Sequence, residues 1–180
     1  MGLFFYTQKG SIISTVVLPT TEIIEPKIEA EPVKTSAYEG YTTASIAVRP
    51  SLVERLFERY LENRDDVDFV YKNGDKGTQY FSLAFGTNGG RSHFYPDFIV
   101  QMQNGDVYII ETKGGETFAG QDKNIDLYAP AKYEALKDYA ERYKIKWAFV
   151  RDLDEKLWYL NEGEWMDRME SWKPIDELFE

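Results

Sequence analysis

The sequence predicts an α/β (α+β) fold, a mixed β-sheet flanked by helices and preceded by an N-terminal β-rich arm. Three observations predict it. Beyond residue 50 the hydrophobic periodicity runs helix, strands, helix, strands. The central segments Phe98-Ile99-Val100 and Val107-Tyr108-Ile109-Ile110 are apolar runs of the kind that end up buried. One Asp, one Glu and one Lys flank or interrupt those runs, where strand interiors disfavour acidic residues.

Residues 1–50 form the arm. Leu3-Phe4-Phe5-Tyr6 and Ser11-Ile12-Ile13-Ser14-Thr15-Val16-Val17-Leu18 are rich in aromatic and β-branched types, with Lys9-Gly10 at the turn of a hairpin. Pro19, Pro26, Pro32 and Pro50 then punctuate a glutamate-containing stretch that reads as extended, with at most short strands such as 44–48.

Residues 51–180 form the main domain. A helix is expected over 51–63, with Leu52, Val53, Leu56, Phe57, Tyr60 and Leu61 on one face. Ser51 and Glu54 have the spacing of a capping box. Glu54 falls at the rim of the apolar face, while Glu58 and Glu62 point further into solvent. Strands are expected over Val67–Lys72, ending at the turn Asn73-Gly74, and over 78–85, ending at the turn Gly86-Thr87-Asn88-Gly89-Gly90. Neither glycine loop has the Gly-Lys-Ser/Thr ending of a phosphate-binding loop.

The central pair follows as strands 93–102 and 106–113, with Pro96 at a strand start or edge because it has no N–H to donate. Residues 116–128 read as a polar loop. A second helix is expected over 130–143, with Pro130 at its first position and Leu136, Tyr139, Ala140 and Tyr143 facing inward. Strands 146–151 and Lys156–Leu160 come next, and an aromatic, acidic tail closes with one helical turn near Pro174-Ile175-Asp176-Glu177-Leu178.

Composition narrows the chemistry. The chain has no cysteine, which excludes disulfides and zinc–thiolate sites, and one histidine, which excludes His-rich sites. A bound metal would therefore have oxygen ligands, which suit Mg²⁺, Mn²⁺ or Ca²⁺. A net charge of −10 argues against a stand-alone nucleic-acid binder. No apolar run approaches the roughly 20 residues of a membrane span. There is no basic signal-peptide region, and Tyr6 stands where a myristoylation signal needs Ser or Thr. The expectation is a cytoplasmic protein with no membrane partner.

Charges in buried strands need partners, and a metal ion is one way to supply them. Phosphodiester hydrolysis needs a held cation, an activated water and groups that keep both in line. Glu111 and Lys113, two apart in a strand, project to one face. Asp97 reaches that face from the neighbouring strand only in one register. A three-residue loop Gln103-Asn104-Gly105, with Gly105 left-handed, pairs Met102 with Asp106 and sets Asp97 opposite Glu111. A two-residue turn would place Asp97 on the wrong face. The expected metal ligands are Asp97, Glu111 and the carbonyl of Thr112, for Mg²⁺ or Mn²⁺.

Pro96-Asp97, thirteen intervening residues and Glu111-Thr112-Lys113 resemble the PD-(D/E)XK nuclease motif. Phe94-Tyr95-Pro96-Asp97-Phe98-Ile99-Val100 with Ile110-Glu111-Thr112-Lys113-Gly114 resembles the C-terminal endonuclease domain of type III restriction enzymes (the Res subunit) and related helicase–nuclease fusions. Glu54-x-x-Phe57, Val70-Tyr71-Lys72-Asn73 and Trp172-Lys173-Pro174-Ile175-Asp176-Glu177-Leu178-Phe179 resemble the same group. The likeness covers about 51–180 and weakly 38–41.

It implies a restriction-endonuclease-like fold and Mg²⁺-dependent DNA cleavage. Asp97 and Glu111 would be ligands, Lys113 the catalytic lysine, and Glu54 a further acid near the metal. It also implies helicase/ATPase and methyltransferase partners. Motor motifs are absent from this sequence, which therefore reads as an excised domain or a stand-alone relative.

Competing readings stay open. The alternative function is a catalytically inactive nuclease-fold domain that binds DNA or protein; a weaker one is cleavage of RNA. Glu54 also reads as a cap alone. Lys132 lies on the inner stripe of the second helix, either snorkelling past it or reaching toward phosphate. His93 reads as structural or exposed, though its position permits a phosphate contact. Tyr95 faces the site in the chosen register but also suits core packing.

Overall fold

The computed structural model describes residues 51–74, 80–114 and 127–180, together with the backbone of 2–6 and 12–17. β1 (Gly2–Tyr6) and β2 (Ile12–Val17) pair antiparallel, as the hairpin pattern predicts. The turn at Lys9-Gly10, the arm over 19–50 with its short strand, and most of the loop over 116–128 lie outside the described residues.

Helix α1 (Leu52–Glu62) begins where the capping box puts it. The Glu54 N–H donates to Ser51 Oγ at 3.3 Å, and Ser51 N–H donates to the Glu54 carboxylate at 2.9 Å. Two of the helix's orphan N-terminal donors are thus satisfied locally. Val53, Phe57 and Leu61 are buried as the periodicity requires. Glu58 departs from expectation: it is buried, and Glu62 is half-buried. The helix lies against three strands of the sheet, so its packed arc is wider than one apolar stripe.

The remaining strands are β3 (Val67–Lys72), β4 (Leu83–Thr87), β5 (Gly90–Phe94), β6 (Phe98–Met102), β7 (Val107–Lys113), β8 (Lys146–Leu153), β9 (Lys156–Leu160) and β10 (Lys173–Pro174). Six of them form one sheet in the order β10-β9-β8-β7-β6-β3. Only β7 and β8 run parallel; the other pairs are antiparallel. A parallel pair needs a crossover, and helix α2 (Ala129–Tyr143) lies on that connection.

Side chains alternate between two covered faces. Tyr71, Ile99, Ile109 and Phe149 join Tyr133, Leu136 and Ala140 of α2. Val70, Phe98, Val100, Tyr108, Ile110 and Val150 join Val53, Phe57 and Leu61 of α1. Cover on both faces is why the central strands read as unbroken apolar runs. The architecture is therefore a mixed α+β sheet flanked by two helices among the described residues. No helix there is long and apolar enough to cross a membrane.

Two strand expectations need correction. The strand expected over 93–102 is broken at 95–97, and its first part belongs to β5. β5 pairs with β4 in a separate hairpin, Leu83 opposite Phe94, and the glycine stretch 86–90 is mostly strand with its turn at Asn88-Gly89. Pro96 supplies no N–H for a ladder, so the chain leaves the hairpin at Phe94 and enters the central sheet at Phe98. In α2, Pro130 is the second helical residue. Tyr133, overlooked by the stripe, is fully buried, whereas Tyr139 and Tyr143 are half-buried.

Candidate metal centre

The β6–β7 register is the one a shared site requires. Phe98 lies opposite Ile110, Ile99 opposite Ile109, Val100 opposite Tyr108 and Gln101 opposite Val107. The loop Gln103-Asn104-Gly105 closes it, with Met102 N–H donating to the Asp106 carbonyl at 2.8 Å and Gly105 N–H to the Met102 carbonyl at 2.9 Å. Gly105 has φ +89°, a conformation that favours glycine. Extending the register by one pair sets Asp97 opposite Glu111.

Asp97 stands just before β6, outside the ladder. Its Oδ2 accepts from the Thr112 N–H at 2.7 Å and from Thr112 Oγ1 at 2.6 Å. A strand residue's N–H and C=O point to the same neighbour. The Thr112 carbonyl therefore also points to the Asp97 side, where the sheet has no further β6 residue to occupy it.

Glu111 is almost wholly buried on the α2 face, and Lys113 contacts its Oε1 from two residues along the same strand. Its other oxygen, Oε2, is buried with no hydrogen-bond partner among the described residues. Burial pushes the Glu111 carboxyl up to about 8, with the Asp97 charge adding to the rise and Lys113 and Lys132 opposing it. Lys132, in the first turn of α2, is thus close enough for its charge to be felt, and its Nζ lies 5.7 Å from the Phe85 ring centre.

Glu54 comes in from α1, on the other face of the sheet. Besides its cap bond, its Oε2 lies 3.6 Å from Lys72 Nζ. Desolvation raises its carboxyl; the Lys72 charge opposes this and the Asp97 charge adds to it. The Asp97 charge therefore acts on both acids. His93 is exposed, with Nδ1 3.4 Å from Ser82 Oγ, and Tyr95 is half-buried between β5 and β6.

Three residues near the site were not singled out as functional by sequence. Lys72 ends β3 with its Nζ 4.3 Å from the Phe98 ring centre, joining Glu54 to the sheet. Asn73 is buried where an Asn-Gly turn was expected. Arg151, in register with Lys113, is fully buried; its Nε donates to the Gly114 carbonyl at 3.0 Å and its guanidinium lies 5.1 Å from the Trp172 ring centre.

The donor set fits a hard cation in chemistry: two carboxylates and a main-chain carbonyl, all oxygen. The unpartnered buried oxygen of Glu111 is the atom such an ion would satisfy. Among the described residues no group of three or more His, Cys, Asp or Glu side chains forms a ready-made metal cluster. The protein would supply two carboxylates at most from this strand pair. No family model, curated protein or solved structure matches the chain.

Proposed function

We infer that the chain carries a divalent-metal-dependent nuclease site and that its sheet is of the restriction-endonuclease-like kind. The observation that supports this best is the buried, unpartnered Oε2 of Glu111 beside Lys113, opposite Asp97 in the extended β6–β7 register. Asp97, Glu111 and the Thr112 carbonyl would hold Mg²⁺ or Mn²⁺. A bound ion would act there as a Lewis acid toward a phosphate oxygen and lower the pKa of a coordinated water.

The chain's own residues prepare that chemistry. Thr112 fixes the Asp97 carboxylate with two hydrogen bonds, so one of its oxygens is aimed before any ligand arrives. Glu111 presents a desolvated oxygen that gains most from meeting a cation. Lys113 holds the other Glu111 oxygen and is the group placed to orient a water or steady a phosphate. Lys132 adds positive charge on the α2 side.

The substrate class proposed is DNA, from the resemblance of 94–114 to type III restriction endonuclease domains, with domain limits at 1–50 and 51–180. With a net charge of −10, the chain would draw much of its grip on DNA from helicase/ATPase or methyltransferase partners, as the resemblance implies. The two-carboxylate donor set also favours a second reading, a nuclease-fold domain that binds DNA or protein without cutting. Mn²⁺ titration separates them. Binding by the parent chain that is lost in Asp97→Ala and Glu111→Ala supports the site. A folded chain that binds no divalent metal overturns it.

A further inference from the structure

The chain at 95–97 has left one sheet and not yet joined the next, so no ladder fixes the backbone that carries Asp97. Asn73 fixes it instead. Its main-chain N–H donates to the Asp97 carbonyl at 2.7 Å, extending the β3–β6 pairing past Lys72 opposite Phe98.

Its side chain turns inward and is 6% exposed. Nδ2 donates to the Pro96 carbonyl at 2.9 Å and to the Phe81 carbonyl at 2.7 Å. Oδ1 accepts from the Phe81 N–H at 3.2 Å. Both carboxamide donors and one acceptor position are thus engaged.

One side chain therefore binds two separate stretches, at Phe81 and Pro96, while its backbone binds Asp97. Beside it, the Tyr80 ring lies where a Cβ on Gly74 would stand. An exposed Asn-Gly turn needs none of these contacts.

We propose that Asn73 is a positioning residue for Asp97: it pins the Pro96 and Asp97 carbonyls so that the Asp97 carboxylate meets the Thr112 N–H and hydroxyl beside Glu111. Its consequence for metal binding rests on the nuclease-site reading. The positioning itself does not, and it is read in metal-free protein.

The reporter is the Thr112 amide, whose hydrogen bond goes to Asp97 Oδ2 rather than to a strand. Amide hydrogen exchange is measured at Thr112 and at Ile110, in the interior of the same strand. Asn73→Ala is compared with Leu61→Ala, a core change in α1 that weakens the fold away from Asp97. Asn73→Asp serves if Asn73→Ala does not fold, because it keeps the side-chain size and the acceptor for Phe81 while losing both donors.

In either Asn73 variant, exchange at Thr112 is expected to rise relative to Ile110 by about tenfold or more, the loss of one buried hydrogen bond. In Leu61→Ala the two amides move together. Thr112 protection that follows Ile110 in the Asn73 variants overturns the proposal. Mn²⁺ affinity then separates the two levels. A parent chain that binds no Mn²⁺ defeats the metal-site reading, while unprotected Thr112 in the Asn73 variants still establishes the positioning.

Discussion

Divalent-metal binding to this chain should release a proton, and its affinity should climb with pH until Glu111 is ionised. In the metal-free protein, burial and the Asp97 charge hold the Glu111 carboxyl near 8 instead of its ordinary 4.5. A carboxylate ligand must be deprotonated to bind, so below that value the ion competes with a proton. One pH unit below it, Glu111 is about nine-tenths protonated, and each ion bound displaces about 0.9 proton. The apparent affinity then falls about tenfold for every further pH unit lost. Above about 8 the competition ends and the affinity levels off.

Calorimetric titration with Mg²⁺ near pH 7, in two buffers of different ionisation enthalpy, reads the released proton as a difference in observed heat. Repeating the pair near pH 9 should bring the two heats together. Equal heats in both buffers near pH 7, or an affinity that is flat from pH 6 to 8, would refute the claim that the buried Glu111 is a ligand.

The same shift makes metal-free stability depend on pH. Because the folded value lies above the unfolded one, the contribution of Glu111 is fully present below about 4.5 and is lost as pH rises through about 8. Urea unfolding should show a decline over that window of at most about 5 kcal/mol, flattened in Glu111→Gln. Ser51→Ala should cost about 1 kcal/mol through the lost cap and leave metal affinity unchanged. Glu54→Gln keeps an acceptor for the Ser51 N–H but removes the charge that Asp97 and Lys72 feel. A fall in its metal affinity without a comparable fall in melting temperature separates a role at the site from the cap; unchanged affinity assigns Glu54 to the cap alone. Arg151→Met should destabilise by about 1 kcal/mol or more, because the fully buried guanidinium's hydrogen bonds to the Gly114 and Asp167 carbonyls are lost; an unchanged unfolding midpoint would contradict that.

What was legible in the sequence was local. Ser51 and Glu54 are three residues apart, so their reciprocal caps follow from one helical turn. Gly105 marks the loop that sets the β6–β7 register, and the register carries Asp97 to Glu111. Glu111 and Lys113 stood out because charges in apolar strands need a reason. The illegible parts depend on which strand pairs with which. Phe94 and Phe98 lie in one sequence run but in two sheets, because β4 takes β5 as its partner.

Asn73 followed by Gly74 has the form of a hairpin turn, and only the approach of Phe81 and Pro96 reveals the clamp. Lys72 at a strand end resembles a solvated cation until Phe98 and Glu54 close on it. Arg151 is buried by Trp172 and the Asp167 backbone, which return from the tail. The fold's mixed sheet and the register that sets Asp97 opposite Glu111 were thus readable from the pattern, while the contacts around those residues came from distant segments.

The central claim is that this site cuts DNA with a divalent metal and Lys113. Its most direct test is cleavage of duplex DNA at low salt by the parent chain and by Lys113→Ala, each with Mg²⁺ or Mn²⁺ and with chelator. The account predicts metal-dependent cleavage by the parent chain. It also predicts a Lys113→Ala variant that stays folded and binds Mn²⁺ yet cleaves about a hundredfold more slowly or worse. Cleavage by Lys113→Ala at the parent rate, or no cleavage by a metal-loaded parent chain, would contradict it.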